Sequence, residues 1–134
     1  ATLEILFPAY DPTGMETNTA SIVAVLRYGS TDFLLTGDSP ISIERYLVGL
    51  DGEKIDVEVL KAGHHGSKTS SSQEFVAQTT PQYAVVSAGK DNRYGHPHPE
   101  VVARLLASGA QVLNTAEVGT ILFTTDGSSL QIVD

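Results

Sequence analysis

Between positions 21 and 62 the apolar residues of this chain change period twice, and that change limits the folds open to it. Ser21 to Tyr28 is mostly apolar and β-rich, Gly29-Ser30 makes a turn, and Asp32 to Thr36 continues as a second strand, so the two read as a hairpin. Ile43, Tyr46, Leu47 and Leu50 then recur at i, i+3, i+4 and i+7, which predicts an amphipathic helix. Ser39 is its expected N-cap, Pro40 its first helical residue and Asp51-Gly52 its end. Val57 to Ala62 returns to a strand. Strands alternating with a one-faced helix call for an α/β layered domain.

The flanking segments agree. Thr2 to Phe7 reads as a strand stopped by Pro8, and Tyr10 to Thr19 as a loop rich in Asp, Pro, Gly and Asn. Ser71 and Glu74 have capping-box spacing, which predicts a short helix from about Ser72 that turns Phe75 and Val76 inward and ends at Pro81. Tyr83 to Ala88 reads as a buried strand. Pro99 opens a helix with the i, i+4 pairs Val101/Leu105 and Val102/Leu106, closed by Gly109. Gln111 to Asn114, Thr120 to Thr124 and Leu130 to Val133 are the last strands, with Asp126-Gly127 as a turn.

With 134 residues the chain suits a single domain. It has no Cys, which excludes disulfides, Cys-based zinc sites and thiol nucleophiles. No apolar run approaches the ~20 residues of a membrane span, and the first residues lack the basic and apolar regions of a signal peptide. A net charge of −8 disfavours non-specific nucleic-acid binding, so any such role runs through a metal or a local basic patch.

The chemistry lies in the placement of polar residues. All four His fall in two clusters, Gly63-His64-His65-Gly66 and Gly95-His96-Pro97-His98-Pro99, each after a strand. Thr36-Gly37-Asp38 also follows a strand. Ligands in α/β sheets bind beyond the carboxyl ends of the strands, so parallel strands here would converge three ligand-rich segments on one edge. Asp38 reads either as a carboxylate at a helix start or as a metal-bridging carboxylate. In an extended segment His64 and His65 point opposite ways, one to a metal and the other to substrate; alternatively they are solvated imidazoles of a surface turn. His96 and His98, stiffened by Pro97 and Pro99, could face one side for substrate contact, proton transfer or ligation, or could merely introduce the next helix with His98 as a weak N-cap. The run Ser67-Lys68-Thr69-Ser70 is not a phosphate loop, because Lys does not directly follow the Gly. It reads as a loop and helix cap, yet Ser67, Lys68 and a helix start beside the His pair also suit a phosphodiester, with Lys90, Arg93 and Tyr94 on the same side. No G-x-S-x-G elbow occurs.

Taken together, Thr36-Gly37-Asp38, the segment Leu60 to Ser70 around the His pair, the segment Gly89 to Glu100, and the upstream Asn18 to Val23 resemble the C-terminal metallo-β-lactamase-like domain of the ComEC competence proteins. The resemblance covers nearly the whole chain. It implies half of a metallo-β-lactamase αββα sandwich, a mixed β-sheet flanked by helices, with residues 1–134 as the C-terminal half of the hydrolase domain. By motif, Asp38 and His64 correspond to metal ligands, with His65 the second choice for His64's role. His65, His96 and His98 are the implied catalytic positions, and Ser67, Lys68, Arg93 and Tyr94 the implied substrate-binding ones. The implied cofactor is a divalent metal, manganese or zinc, two ions in the complete domain and weak or no binding by this chain alone. The chain lacks the family's His-x-His-x-Asp-His motif. This predicts an inactive chain whose parent is a metal-dependent phosphodiesterase or nuclease acting on single- or double-stranded DNA during natural transformation. Its implied partners are the missing N-terminal half and the membrane channel of the same parent. The parent is expected in the bacterial cell membrane, with this domain soluble, and a homodimer is expected from the apolar face left without the other half. The alternatives are a soluble or secreted hydrolase of a small phosphoester on the same fold and a non-catalytic scaffold.

Overall fold

The computed structural model describes residues 1–133. Eight strands and four α-helices run in the order β1 (Thr2–Phe7), β2 (Val23–Tyr28), β3 (Thr31–Leu35), α1 (Ile41–Asp51), β4 (Val59–Lys61), α2 (Gln73–Thr79), β5 (Tyr83–Val86), α3 (Pro99–Ala107), β6 (Gln111–Asn114), α4 (Thr115–Val118), β7 (Leu122–Thr125) and β8 (Leu130–Val133). A 3₁₀ turn, Gly52–Ile55, extends α1. The first six strands form one sheet in sequence order, and β7 and β8 form a separate hairpin. The pairings β1–β2 and β2–β3 are antiparallel, whereas β3–β4, β4–β5 and β5–β6 are parallel. The mixed α/β class is therefore as expected, and the four parallel strands, β3 to β6, include the three that precede the polar clusters.

Strand alternation divides the sheet into two faces. Register places Val25, Leu34, Leu60 and Ala84 in one row, all buried under the helices with Phe7, Leu47, Phe75, Val76, Val101 and Leu105. Helices α1 and α2 pack together, as do α2 and α3. The opposite face carries Leu3, Ile5, Phe33, Leu35, Val59 and Val85. Here the β7–β8 hairpin covers only part of the sheet: Phe123 meets Phe33 and Tyr83 edge-on, with ring centroids 6.0 and 5.5 Å apart. Leu3, Ile5 and Leu35 stay exposed on that face, and a cavity of about 350 Å³ opens beside the hairpin between Phe33, Leu35, Val85, Ile121 and Phe123.

Several local expectations need correction. Helix α1 begins at Ile41 with Pro40 as N-cap, and the Ser39 hydroxyl is buried without a hydrogen-bond partner instead of capping the helix. Leu50 is 65 % exposed, because Glu44 joins Ile43 and Leu47 on the buried face and Ile55 of the following turn fills the end of the core. Asp51-Gly52 ends the α-helix as expected, and the chain continues as the 3₁₀ turn. The Ser71/Glu74 box does not form: Ser72 is the N-cap and accepts the Phe75 amide, while Ser71 takes φ +56°. Helix α3 buries Val101 and Leu105 and leaves Leu106 exposed. One-turn α4, capped by the Asn114 side chain, was not legible as a helix.

Candidate functional site

Three loops leave the carboxyl ends of β3, β4 and β5 and meet. The β3 loop carries Asp38, the β4 loop His64 and His65, and the β5 loop Arg93, Tyr94, His96 and His98. Backbone bonds tie them together: the His64 amide donates to the Gly37 carbonyl (3.0 Å) and the His98 amide to the Gly66 carbonyl (2.9 Å). The Asp38 amide donates to the Ser21 hydroxyl at 3.1 Å. Gly66 makes the junction of the last two loops, since a Cβ there would stand 2.6 Å from the Pro97 Cβ.

The His pair does not lie in an extended segment. Residues 63–66 form a tight turn in which His64 (φ 47°) and His65 (φ 58°) are both left-handed, and their rings lie 6.1 Å apart instead of on opposite faces. Such conformations cost about 1–3 kcal/mol each in non-glycine residues and persist only where the surroundings impose them, commonly at functional sites. Around this turn the His64–His96 centroids are 5.7 Å apart, His65–His96 6.4 Å and His96–His98 5.1 Å. All four imidazoles thus gather in one cluster.

Their hydrogen bonds give the nitrogens different roles. His65 Nδ1 donates to the Ser87 carbonyl at 2.6 Å, so in a neutral ring the lone pair lies on Nε2, 3.6 Å from Asp38 Oδ1. A ring fixed through its other nitrogen on a backbone carbonyl is the arrangement typical of a metal-binding His. Two facing electron-pair donors favour a cation between them. His98 has the opposite polarity: its Nδ1 accepts the Lys68 amide at 3.1 Å, so a neutral ring carries its proton on Nε2 and offers a donor. His64 Nδ1 lies 3.3 Å from the Thr69 hydroxyl. Desolvation, reinforced by the imidazoles of His98, His64 and His65 and opposed by Asp38, holds His96 below the usual histidine range.

Of the expected substrate-binding residues, Lys68, Arg93 and Tyr94 stand exposed at the rim. Ser67 is buried with its hydroxyl on Thr69, where it organises the loop. Asp38 is paired with His65, the second choice, more closely than with the expected His64. Among the described residues no group of three His, Asp or Glu side chains is near enough to hold an ion, whereas catalytic zinc takes three protein ligands and a water. Asp38 and His65 supply two donors, one short of such a set.

Sequence reasoning gave no role to three residues. Lys61 is half-buried and directs Nζ at the Gly37 and Ala62 carbonyls, both at 3.4 Å; desolvation draws its pKa below the usual lysine range, opposed by Asp38. Glu44, 1 % exposed, accepts the amides of Ser71 and Ser72, while Arg104 donates to the Ser71 carbonyl at 2.6 Å. Asn92 makes four bonds within its own loop. For Lys61 a signal existed, since strand alternation puts it on the same face as Val59.

Comparison with known proteins identifies relatives that match most of the chain. ComE operon protein 3 of Bacillus subtilis is 39 % identical over 112 residues, 84 % of this chain and 14 % of that protein. Competence protein ComA of Neisseria gonorrhoeae is 38 % identical over 120 residues, 90 % of this chain and 17 % of its own length. Recombination protein 2 of Haemophilus influenzae is 36 % identical over 104 residues, or 78 % and 13 %. This chain is homologous to a segment of those competence-related proteins. It spans about a seventh of the length of the relatives it matches. No family model matches it. No helix among the described residues is long and apolar enough to cross a membrane.

Proposed function

We propose that this chain is the C-terminal half of a metallo-β-lactamase-like domain that hydrolyses DNA phosphodiester bonds in a membrane-bound competence protein during DNA uptake. The observation that carries the reading is His65 Nε2 facing Asp38 at 3.6 Å, with its other nitrogen fixed on the Ser87 carbonyl, at the carboxyl edge of three parallel strands. The relatives' names support the competence context.

Asp38 and His65 would hold one side of a divalent ion, manganese or zinc, and the ion would supply charge stabilisation at the phosphate. The remaining donors are assigned to preceding chain that packs on the open sheet face, where Leu3, Ile5 and Leu35 are exposed. Helices on one face and an apolar face only partly covered by the β7–β8 hairpin on the other support the half-sandwich. The chain's own residues hold and orient: Lys68 and Arg93 offer positive charge to the DNA backbone, and His98 Nε2 offers a proton to an anionic oxygen.

The test is cleavage of labelled single- and double-stranded DNA, with added Mn²⁺ or Zn²⁺, by a protein that includes the preceding segment, compared with its Asp38→Ala and His65→Ala variants. Metal-dependent cleavage lost in both variants supports the reading. Cleavage of only small phosphoesters, or full activity in either variant, refutes it.

A further inference from the structure

Beside the His cluster lies a pocket of about 200 Å³ lined by His65, Ala88, Gly89, Asn92, Tyr94 and His96. Its rings share an orientation. Tyr94 and His96 are 23° from parallel with centroids 5.7 Å apart, and His96 and His65 are 18° from parallel at 6.4 Å. Tyr94 is 62 % exposed. An exposed tyrosine backed by a row of imidazoles on a loop is a platform for a planar ring.

The loop is rigid for a reason visible in Asn92. Its amide donates to the Gly89 carbonyl at 3.0 Å and the His96 carbonyl at 2.6 Å, and its oxygen accepts the amides of Tyr94 at 3.2 Å and His96 at 3.0 Å. Two donors and two acceptor positions are the full capacity of that side chain. Asn92 therefore holds the rings in place and has nothing left with which to read the edge of a base. Ala88 and Gly89 add only small, unreactive surface. A Cβ on Gly89 would meet no atom within 4 Å, so the floor is open. Arg93 lies 4.9 Å from the Tyr94 ring centroid and donates to its hydroxyl at 2.7 Å. It brings one positive charge beside Tyr94 in a chain of net charge −8.

Resting on the proposed action on DNA, we infer that this pocket holds one nucleobase of a single strand by stacking, without sequence preference, and so sets the neighbouring phosphate against Asp38 and His65. Stacking suits any base because every base has a π face. His65 belongs both to the pocket wall and to the Asp38 pair, which is what couples base binding to placement of the phosphate.

The experiment uses the 134-residue chain at low salt with a metal chelator present. The probes are a short oligothymidylate and an abasic oligomer of the same length and charge, with affinity read by fluorescence anisotropy. The expected result is tighter binding of the base-bearing strand by about five- to 150-fold. Tyr94→Ala abolishes this preference and Tyr94→Phe restores it. Equal affinity for the two oligomers, no binding of either, or an unchanged preference in Tyr94→Ala overturns the inference. Because metal is chelated, those outcomes count against the pocket alone. Loss of cleavage in the longer protein with the base preference intact counts against hydrolysis alone.

Discussion

Replacing Glu44 should loosen the candidate site from a distance, and the size of the effect follows from its contacts. Its carboxylate oxygens accept the Ser71 and Ser72 amides, at the end of the loop that carries Lys68 and Thr69 toward His98 and His64. Glu44→Ala leaves two amides in the interior without acceptors, at about 1–3 kcal/mol each. Relief from no longer burying a carboxylate offsets part of that sum, so the net loss is about 2–4 kcal/mol. Glu44→Gln keeps one acceptor and turns an NH₂ toward the other amide, for roughly half the loss. Burial raises the Glu44 pKa, opposed by the Ser72 and Ser71 hydrogen bonds and by Arg104. The folded protein therefore keeps this proton after the unfolded chain has released it. The resulting stability is complete below the unfolded value of ~4.3 and is lost as pH rises through the folded value, a slope that Glu44→Gln removes. Urea unfolding at neutral pH, repeated down through the acid range, measures both effects, and amide exchange at residues 66–72 reports the loop. A Glu44→Ala protein within about 0.5 kcal/mol of the parent, the range of an ordinary surface change, would refute the reasoning.

Two glycines give further predictions. Gly66→Ala combines φ +80° with a Cβ 2.6 Å from Pro97; a loss of about 2–5 kcal/mol is expected, with changed NMR shifts at both His64 and His98, and an unperturbed His98 would contradict the loop junction. Gly29→Ala puts a Cβ 2.0 Å from the Gly127 carbonyl oxygen, where Ser30 also anchors the β7–β8 hairpin. Hydrogen exchange should quicken about tenfold or more across Leu122–Val133 while β3–β5 stay protected, and uniform exchange across the chain would show that the hairpin does not detach separately.

Much of this architecture was legible because the hydrophobic period is clean where it matters. The helix buries Ile43 and Leu47, which the pattern points inward, and the strand around Ala84 is buried as its apolar run implies. That the His clusters converge was readable from their position after strands, and the parallel pairing of β3, β4 and β5 supplies the condition that reading required. What failed has local causes. A charged residue on an apolar helix stripe reads as solvent-facing, so Glu44 escaped notice and Leu50 was placed in the core. Four residues carry no helical period, which hid α4. The expectation that His64 and His65 point opposite ways depended on an extended backbone, whereas the segment is a left-handed turn that residue type alone does not announce. Asn92 had no signal beyond its neighbours, because its role depends on four backbone groups that only the folded loop brings together.

The central claim, that Asp38 and His65 are one side of a divalent-metal centre, is tested most directly by titrating Mn²⁺ into the isotopically labelled 134-residue chain and mapping paramagnetic line broadening by NMR. The account predicts weak, saturable broadening centred on Asp38 and His65, spreading to His64, His96 and His98, and abolished by either Asp38→Ala or His65→Ala. Broadening centred elsewhere, or broadening at the His cluster that survives both substitutions, would contradict it.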